Sequence, residues 1–451
     1  MPSAPLIARA ADAPIAWYNA QAVSAKAFLR LTRELGERLP RARCCINLCR
    51  DRFWFSVSFA AAIRSGMTTL LPANRLASTI AQLRDDYPDS VVVGDFDADE
   101  ASPAAMRIID PRSVVSDAGP AEPVPDIDMQ LAAAIVFTSG STGPGSAIHK
   151  FWATLVESSK HNARALGAEG MLRHLVATMP PQHMWGLETS VLIPWFAPVA
   201  ASHQHPFFPG AIVEALHALP HPRILASTPT HLRSLAAYLG EEPLPAESLW
   251  CATAPLDPNL AVRLAAGGAT RITEVYGCSE TGCLARRDPV TESDWQALDG
   301  FTLRTVAGGT DVDAAHLPGT VRLRDEVVFA DNGRFRLIGR DEDLINIAGK
   351  RASLADLNQR LLRLPGIVDG VVFLPPGADG RPAARLAALV VAPELTAAQI
   401  RAGLRAVMDA AFVPRPIRRV QALPRAESGK LPRQWLLEAF HATQDRTDAN
   451  I

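Results

Sequence analysis

Apolar residues recur every three or four positions across 25–39 and again across 52–63, a spacing that predicts two helices each packed on a core. Short runs that are apolar at nearly every position follow a different rule. Thr68-Thr69-Leu70-Leu71, Ser90-Val91-Val92-Val93-Gly94, Ala132-Ala133-Ala134-Ile135-Val136-Phe137, His174-Leu175-Val176-Ala177-Thr178 and Arg223-Ile224-Leu225-Ala226 are of this kind. Helical spacing returns over 151–166 and 211–219. A strand covered on one face alternates apolar and polar residues, whereas a run apolar throughout needs cover on both faces, which helices supply in parallel sheets. The pattern therefore predicts an α/β fold with a largely parallel sheet, and no repeat of 20–50 residues competes with it.

The segment 102–128 is rich in Pro, Asp and Ser and reads as a surface connection. A charged cluster, Gly339-Arg340-Asp341-Glu342-Asp343, precedes a shorter α/β pattern: a helix over 357–364, strands over 367–374 and 386–391, and a helix over 396–411. Two domains are expected, 1–339 large and 340–451 small. The closing stretch 442–451 is polar and is expected to fray.

Composition narrows the function. Lys and Arg total 45 against 47 Asp and Glu, a net charge of −2, so no global electrostatic footprint for nucleic acid or an acidic membrane exists. Hydrophobic residues make up 48 % of the 451 positions, enough for a sizeable core. The cysteines, Cys44, Cys45, Cys49, Cys251, Cys278 and Cys283, form no C-x-x-C pair, which argues against a disulfide framework or a structural zinc. No signal-peptide layout opens the chain and no run approaches the roughly 18 apolar residues of a membrane helix, so the cytoplasm is the expected compartment.

Candidate chemistry starts where the run 132–137 ends. Thr138, Ser139, Gly140, Ser141, Thr142 and Gly143 follow a strand directly, and open α/β sheets bind ligands at the carboxyl ends of their strands. The two glycines free the backbone to turn its N–H groups inward, and the four hydroxyls add donors, which makes a cradle for phosphate. No G-K-[ST] follows, so this is not the Walker A loop.

Later motifs fall in an order that resembles the adenylate-forming superfamily of acyl- and aryl-CoA synthetases, peptide-synthetase adenylation domains and luciferases. The T-S-G-S-T-G loop is the first of them. Tyr276-Gly277-Cys278-Ser279-Glu280 is similar to the family's Y-G-x-[TS]-E block. The resemblance implies that Tyr276 and Gly277 lie against the adenine, Ser279 meets the α-phosphate and Glu280 helps hold Mg²⁺. It further implies that Asp325 binds the ribose hydroxyls, although the usual T-G-D reads Leu323-Arg324-Asp325 here. By the same resemblance, Arg340 is expected to contact the nucleotide and, with Asp341 and Glu342, to form a hinge. The resemblance also implies that Gly349 lies on the thiol-acceptor side and that Pro424-Arg425-Ala426-Glu427-Ser428-Gly429-Lys430, similar to P-R-x-x-S-G-K, supplies the catalytic lysine, Lys430. The implied architecture is a large N-terminal adenylation domain of parallel-rich sheets with helices, followed by a small mobile α+β domain.

The chemistry suits these residue types. A carboxylate is a poor electrophile; ATP converts it to an acyl-adenylate with loss of pyrophosphate, and the growing negative charge requires positioned donors, a cation and a metal. No general base is needed, because the attacking carboxylate is already ionised.

Two departures refine the resemblance. Where much of the family continues its phosphate loop with x-P-K-G, this chain has Pro144-Gly145-Ser146-Ala147, and the next lysine is Lys150. The chain is also compact. With Leu70-Leu71-Pro72-Ala73-Asn74-Arg75, these traits are similar to the AMP-ligases of bacterial aryl-polyene and xanthomonadin-type pigment pathways, of the 3-hydroxybenzoate–acyl carrier protein ligase kind. Gln182-His183-Met184-Trp185-Gly186 then falls at the implied wall of the acid pocket, with His183, Trp185 and Gly186 as candidate substrate contacts. The expected partners are a carboxylic acid, favoured as an aryl acid, ATP with Mg²⁺, and a phosphopantetheine thiol on a carrier protein or CoA. A short-chain or fatty acyl-CoA synthetase is the alternative within the class, and a catalytically silent nucleotide-binding partner protein the alternative outside it.

Overall fold

The computed structural model describes residues 2–72, 74–96, 108–114, 122–137, 147–340, 344–347, 350–376, 385–425 and 431–448. The chain separates into two compact units, 1–302 with 313–320, and 303–312 with 321–451.

In the first unit two sheets form from the apolar runs. One has six strands in the order Ala147–Phe151, Ala132–Phe137, Thr68–Leu71, Cys44–Asn47, Ser90–Val93, Ile108–Ile109, parallel throughout except for the antiparallel edge strand Ala147–Phe151. The other has nine, with Arg271–Cys278, Ser248–Cys251, Arg223–Ser227, Arg173–Ala177, Val199–Ser202 and Pro14–Tyr18 running parallel between antiparallel edges. The near-continuous burial of the parallel strands, such as Arg223–Ser227, is what cover on both faces requires.

Local chemistry sets the helix starts. Ser24 caps Ala25–Arg38, which buries Phe28, Leu29, Leu31, Thr32 and Leu35 on one stripe. Asp51 caps Arg52–Arg64 by accepting from the amides of Phe53 and Trp54, and its other oxygen holds His203 Nδ1 at 2.6 Å. This second helix is buried at every position from Arg52 to Ile63. It touches Cys44–Asn47 and Thr68–Leu71 of the smaller sheet and Pro14–Tyr18 of the larger, so it lies where both sheets need cover. Phe59 stacks on Trp195, centroids 5.7 Å apart, within that core.

Two expectations need correcting. The segment 102–128 is more than a surface connection: Ile108–Ile109 forms the edge of the six-stranded sheet, and Asp126–Asp128 pairs antiparallel with Ser3–Pro5. The polar stretch 442–451 does not fray from its start, because the helix Arg433–Asp448 runs through most of it, with Leu436 and Phe440 buried on its inner side.

The second unit is built of small β pieces and three helices among its described residues. Asp325–Phe329 pairs with Phe335–Arg340, and Leu344–Ile347 with Lys350–Ser353. Asp369–Phe373, Ala387–Val391 and Ile417–Arg419 make a three-stranded sheet. Leu354–Leu362, Ala397–Val407 and Arg433–Asp448 complete it, and Thr396 with Gln399 forms a capping box at the second of these helices. Packing groups 303–312 and 321–340 with the later residues.

Candidate functional site

Four neighbouring parallel strands, Arg173–Ala177, Arg223–Ser227, Ser248–Cys251 and Arg271–Cys278, end on the same edge of the nine-stranded sheet. Their parallel register brings together the segments that follow them: 178–186, Thr228, 252–256 and the turn 279–281.

That turn is shaped by glycine and by a break in register. Arg271–Cys278 pairs antiparallel with Gly282–Arg287, and the register shifts between Tyr276 and Gly277. A Cβ on Gly277 would lie 2.1 Å from the carbonyl oxygen of Gly282, so no other residue fits this approach. Ser279 is half-buried and Glu280 exposed. The backbone of the turn is fastened from beneath: Lys150 Nζ donates to the Glu280 carbonyl at 2.7 Å, although Lys150 itself is buried. Thr281 Oγ1 donates to the Gly282 carbonyl at 2.8 Å.

Tyr276 is half-buried, its ring 5.7 Å from Trp295, and the Arg287 guanidinium lies 4.6 Å above that indole. Arg287 Nε also donates to Glu274 at 2.7 Å, and the other Glu274 oxygen accepts from the Leu256 amide at 2.7 Å. Burial pushes the Glu274 carboxyl up, and Arg287 opposes the rise. Glu274 thus ties the strand to the neighbouring loop, where Thr253 holds φ at 82°. A β-branched residue in that region costs on the order of 1–3 kcal/mol, and such strain persists where surrounding structure enforces it.

The 182–186 segment divides its roles. His183 is half-buried and caps the short helix Met184–Leu187, its Nδ1 accepting from the Trp185 amide at 3.3 Å. Trp185 is 4 % exposed and packs as core with Leu175, Trp250, Val275 and Cys283, while its Nε1 donates to the Ser227 carbonyl at 3.4 Å. Gly186 is required sterically, since a Cβ would stand 2.0 Å from the Pro180 carbonyl oxygen.

Sequence reasoning passed over a polar cluster at the same edge. Thr178 Oγ1 meets Ser227 Oγ at 2.9 Å, Thr228 Oγ1 meets His231 Nδ1 at 2.9 Å, and His205 Nε2 donates to the Thr178 carbonyl at 2.9 Å. Burial pulls His231 down to about 4 and, with help from the Arg52 charge, His205 to about 3, so both rings are neutral at neutral pH. Arg52, fully buried, donates to the carbonyls of Ala177 and Met179 at 2.7 and 3.1 Å and to Ser190 Oγ. Glu188, buried beside Cys283, was also missed; a lone carboxylate in the apolar run 184–196 was the available signal.

In the second unit Asp325 opens its strand and stands opposite Arg340 in the ladder, and its carbonyl accepts from Thr310 Oγ1 at 2.8 Å. Thr138, Ser139, Gly140, Ser141, Thr142, Gly143, Asp341, Glu342, Gly349 and Lys430 lie outside the described residues. The strands flanking the hydroxyl-rich loop are paired, Phe137 opposite Ala147. Among the described residues no group of three or more His, Cys, Asp or Glu could hold a metal ion unaided, and no helix is long and apolar enough to cross a membrane. Mg²⁺ bound between phosphates takes one or two carboxylates rather than a protein cage, and the exposed Glu280 fits that pattern.

Residues 41–307 match the family described as AMP-binding enzyme. The chain is 28 % identical over 244 residues, 53 % of its length and 59 % of the relative's, to 4-coumarate–CoA ligase of Halorhodospira halophila, so it spans less than two thirds of that protein. It is 30 % identical over 324 residues, 68 % of this chain and 76 % of the relative, to 4-coumarate–CoA ligase of Rhodobacter capsulatus. A 3,4-dihydroxybenzoate–[aryl-carrier protein] ligase of Bacillus anthracis is 22 % identical over 66 % of this chain and 72 % of its own. ATP-bound MatB from Rhodopseudomonas palustris shares the fold, with a TM-score of 0.76 and 19 % identity across 93 % of this chain and 94 % of that one. The family match over more than half the chain, together with the Rhodobacter relative, establishes that this protein belongs to the AMP-binding enzyme family.

Proposed function

We propose that the protein is an acid–thiol ligase: it uses ATP to convert a carboxylic acid to an acyl-AMP, releasing pyrophosphate, and passes the acyl group to a phosphopantetheine thiol of an acyl carrier protein or CoA. The observation that carries this reading is the fastened turn at the carboxyl edge of the parallel sheet, which presents the Glu280 carboxylate to solvent and Ser279 beside it, in a chain of the AMP-binding family. Glu280 would hold Mg²⁺, which when bound offsets the charge of the phosphates. Tyr276 and Gly277 would border the adenine, Asp325 and Arg340 the ribose side, and the loop 138–143 the phosphates. Lys430 would stabilise charge during adenylation, after which rotation about Arg340, Asp341 and Glu342 would withdraw it and bring Gly349 toward the thiol.

The favoured acid is aromatic, of the hydroxybenzoate type. Relatives named for 4-coumarate and 3,4-dihydroxybenzoate support it, as does the resemblance to pigment-pathway AMP-ligases, and His183 is the proposed contact with Trp185 and Gly186 behind it. ATP–pyrophosphate exchange across benzoates, cinnamates and fatty acids tests the reading. Exchange is expected with a hydroxylated aryl acid; a fatty-acid optimum would overturn the aryl assignment, and exchange with none would overturn the activity. Lys430→Ala is expected to lower exchange by at least about 100-fold, the scale of a lost transition-state contact, while thioester formation from supplied acyl-AMP persists.

A further inference from the structure

The edge strand Ala147–Phe151 has an inverted pattern: Ala147 and His149 are exposed, and Lys150 is the buried position. Its ladder shifts register between Lys150 and Phe151, the kind of irregularity that re-aims a side chain. Lys150 is 1 % exposed and its ammonium ends on the backbone carbonyl of Glu280, 2.7 Å away.

A second charge reaches the same hairpin. Glu188, also 1 % exposed, lies on the turn of helix Glu188–Leu192. Its Oε1 accepts from Asn162 Nδ2 at 3.1 Å and from the Cys283 amide at 3.4 Å, and its Oε2 accepts from the Cys283 thiol at 3.2 Å. Gly282, at φ 70°, leaves room for it: a Cβ there would stand 2.3 Å from Oε1. The two side chains therefore grip the hairpin at residues 280 and 283, on either side of its bend.

Buried charges of this kind are poor stabilisers, because desolvation cancels much of the attraction, and apolar residues of similar volume often serve a fold better. What two buried groups, each satisfied by the hairpin or by a neighbour, supply is a fixed geometry. Burial pulls the Lys150 ammonium down and pushes the Glu188 carboxyl up, and the charges of Glu188 and Glu280 on Lys150, and of Lys150 on Glu188, oppose those shifts.

We propose that Lys150 and Glu188 are positioning residues for the Ser279–Glu280 turn, and that Lys150 works by holding the Glu280 backbone rather than by contacting a phosphate in place of the lysine missing from the loop. The inference rests on the reading of Glu280 given above. It makes Glu188, which holds the same hairpin at Cys283, a second contributor to the placement of the turn.

The test uses the full-length protein with Lys150→Met, Lys150→Arg, Glu188→Gln and the Lys150→Met/Glu188→Gln double variant. Hydrogen–deuterium exchange of the 273–288 hairpin, measured without nucleotide, is expected to speed up by about 10-fold or more in Lys150→Met and Glu188→Gln, the response of a loosened local unit. Loss in the double variant should be less than the product of the single losses, since no lone buried charge remains. In pyrophosphate exchange, kcat should fall about 10- to 100-fold as the turn is misplaced, KM for ATP should stay within about 3-fold, and Lys150→Arg should recover part of kcat.

Unchanged hairpin exchange in both single variants overturns the proposal. So does a Lys150→Met effect confined to KM for ATP with Glu188→Gln silent, which is the signature of a phosphate ligand. If Lys150→Met does not fold, Glu188→Gln and Lys150→Arg carry the same two readouts. If the wild type exchanges pyrophosphate with no acid, the proposed activity fails, and the nucleotide-free exchange of the hairpin still decides the positioning role.

Discussion

Single residues at the strand ends do jobs that their chemistry alone does not announce. Gly186 looks like an open spot in a pocket wall, yet its α-carbon sits against the Pro180 carbonyl. Gly186→Ala should therefore lower stability by about 1–3 kcal/mol, the range for overpacking against atoms that cannot yield, read as a shift in urea midpoint at constant m-value. An unchanged midpoint would show that the backbone at 180 relaxes freely. Buried His231 and half-buried His205 give a pH signature. His205 and His231 take protons in the unfolded chain below about 6.5, but in the folded protein only near about 3 and about 4. Because the folded values are depressed, their stability is present above pH 6.5 and is lost as the pH falls from there toward 4. Each neutral ring contributes a slope of up to about 1.4 kcal/mol per pH unit. Replacing both with Gln should flatten that part of the stability profile, measured by denaturant unfolding at pH 7, 6 and 5.

At the scale of elements, periodicity was enough to locate Ala25–Arg38, Arg52–Arg64, Ala132–Phe137 and Trp152–Leu166, because burial of a face or of a whole strand writes itself into spacing. The pair Ile108–Ile109 escaped, being too short for any period to show. The late helix Arg433–Asp448 was not read from the sequence, where only the polar character of 442–451 was noted. Of the candidate site, Tyr276 to Glu280 could be read as a motif because its residue types at fixed spacing resemble the family's Y-G-x-[TS]-E block. Glu188 and Asn162 could not, because their partners are distant in sequence and are brought near by the sheet. The capping box at Ala397–Val407 offers a further check: Thr396→Ala should cost about 1 kcal/mol of the second unit's stability, seen as a lower unfolding midpoint.

Across the whole molecule, the near-neutral charge leaves no global electrostatic footprint for a polyanion. The helix Arg52–Arg64 sets a condition on how the sheet edge is assembled. It has no polar face to show to water, it covers strands from both sheets of the first unit, and its first residue bonds to the carbonyls of Ala177 and Met179. Neither sheet can exist as a half-molecule with this helix exposed, so the first unit should melt in one cooperative calorimetric transition. In evolutionary terms, the wedge means that the two sheets must change together: a core substitution on one side is transmitted through the same helix to the segment that carries His183, which leaves loops rather than layers free to diversify.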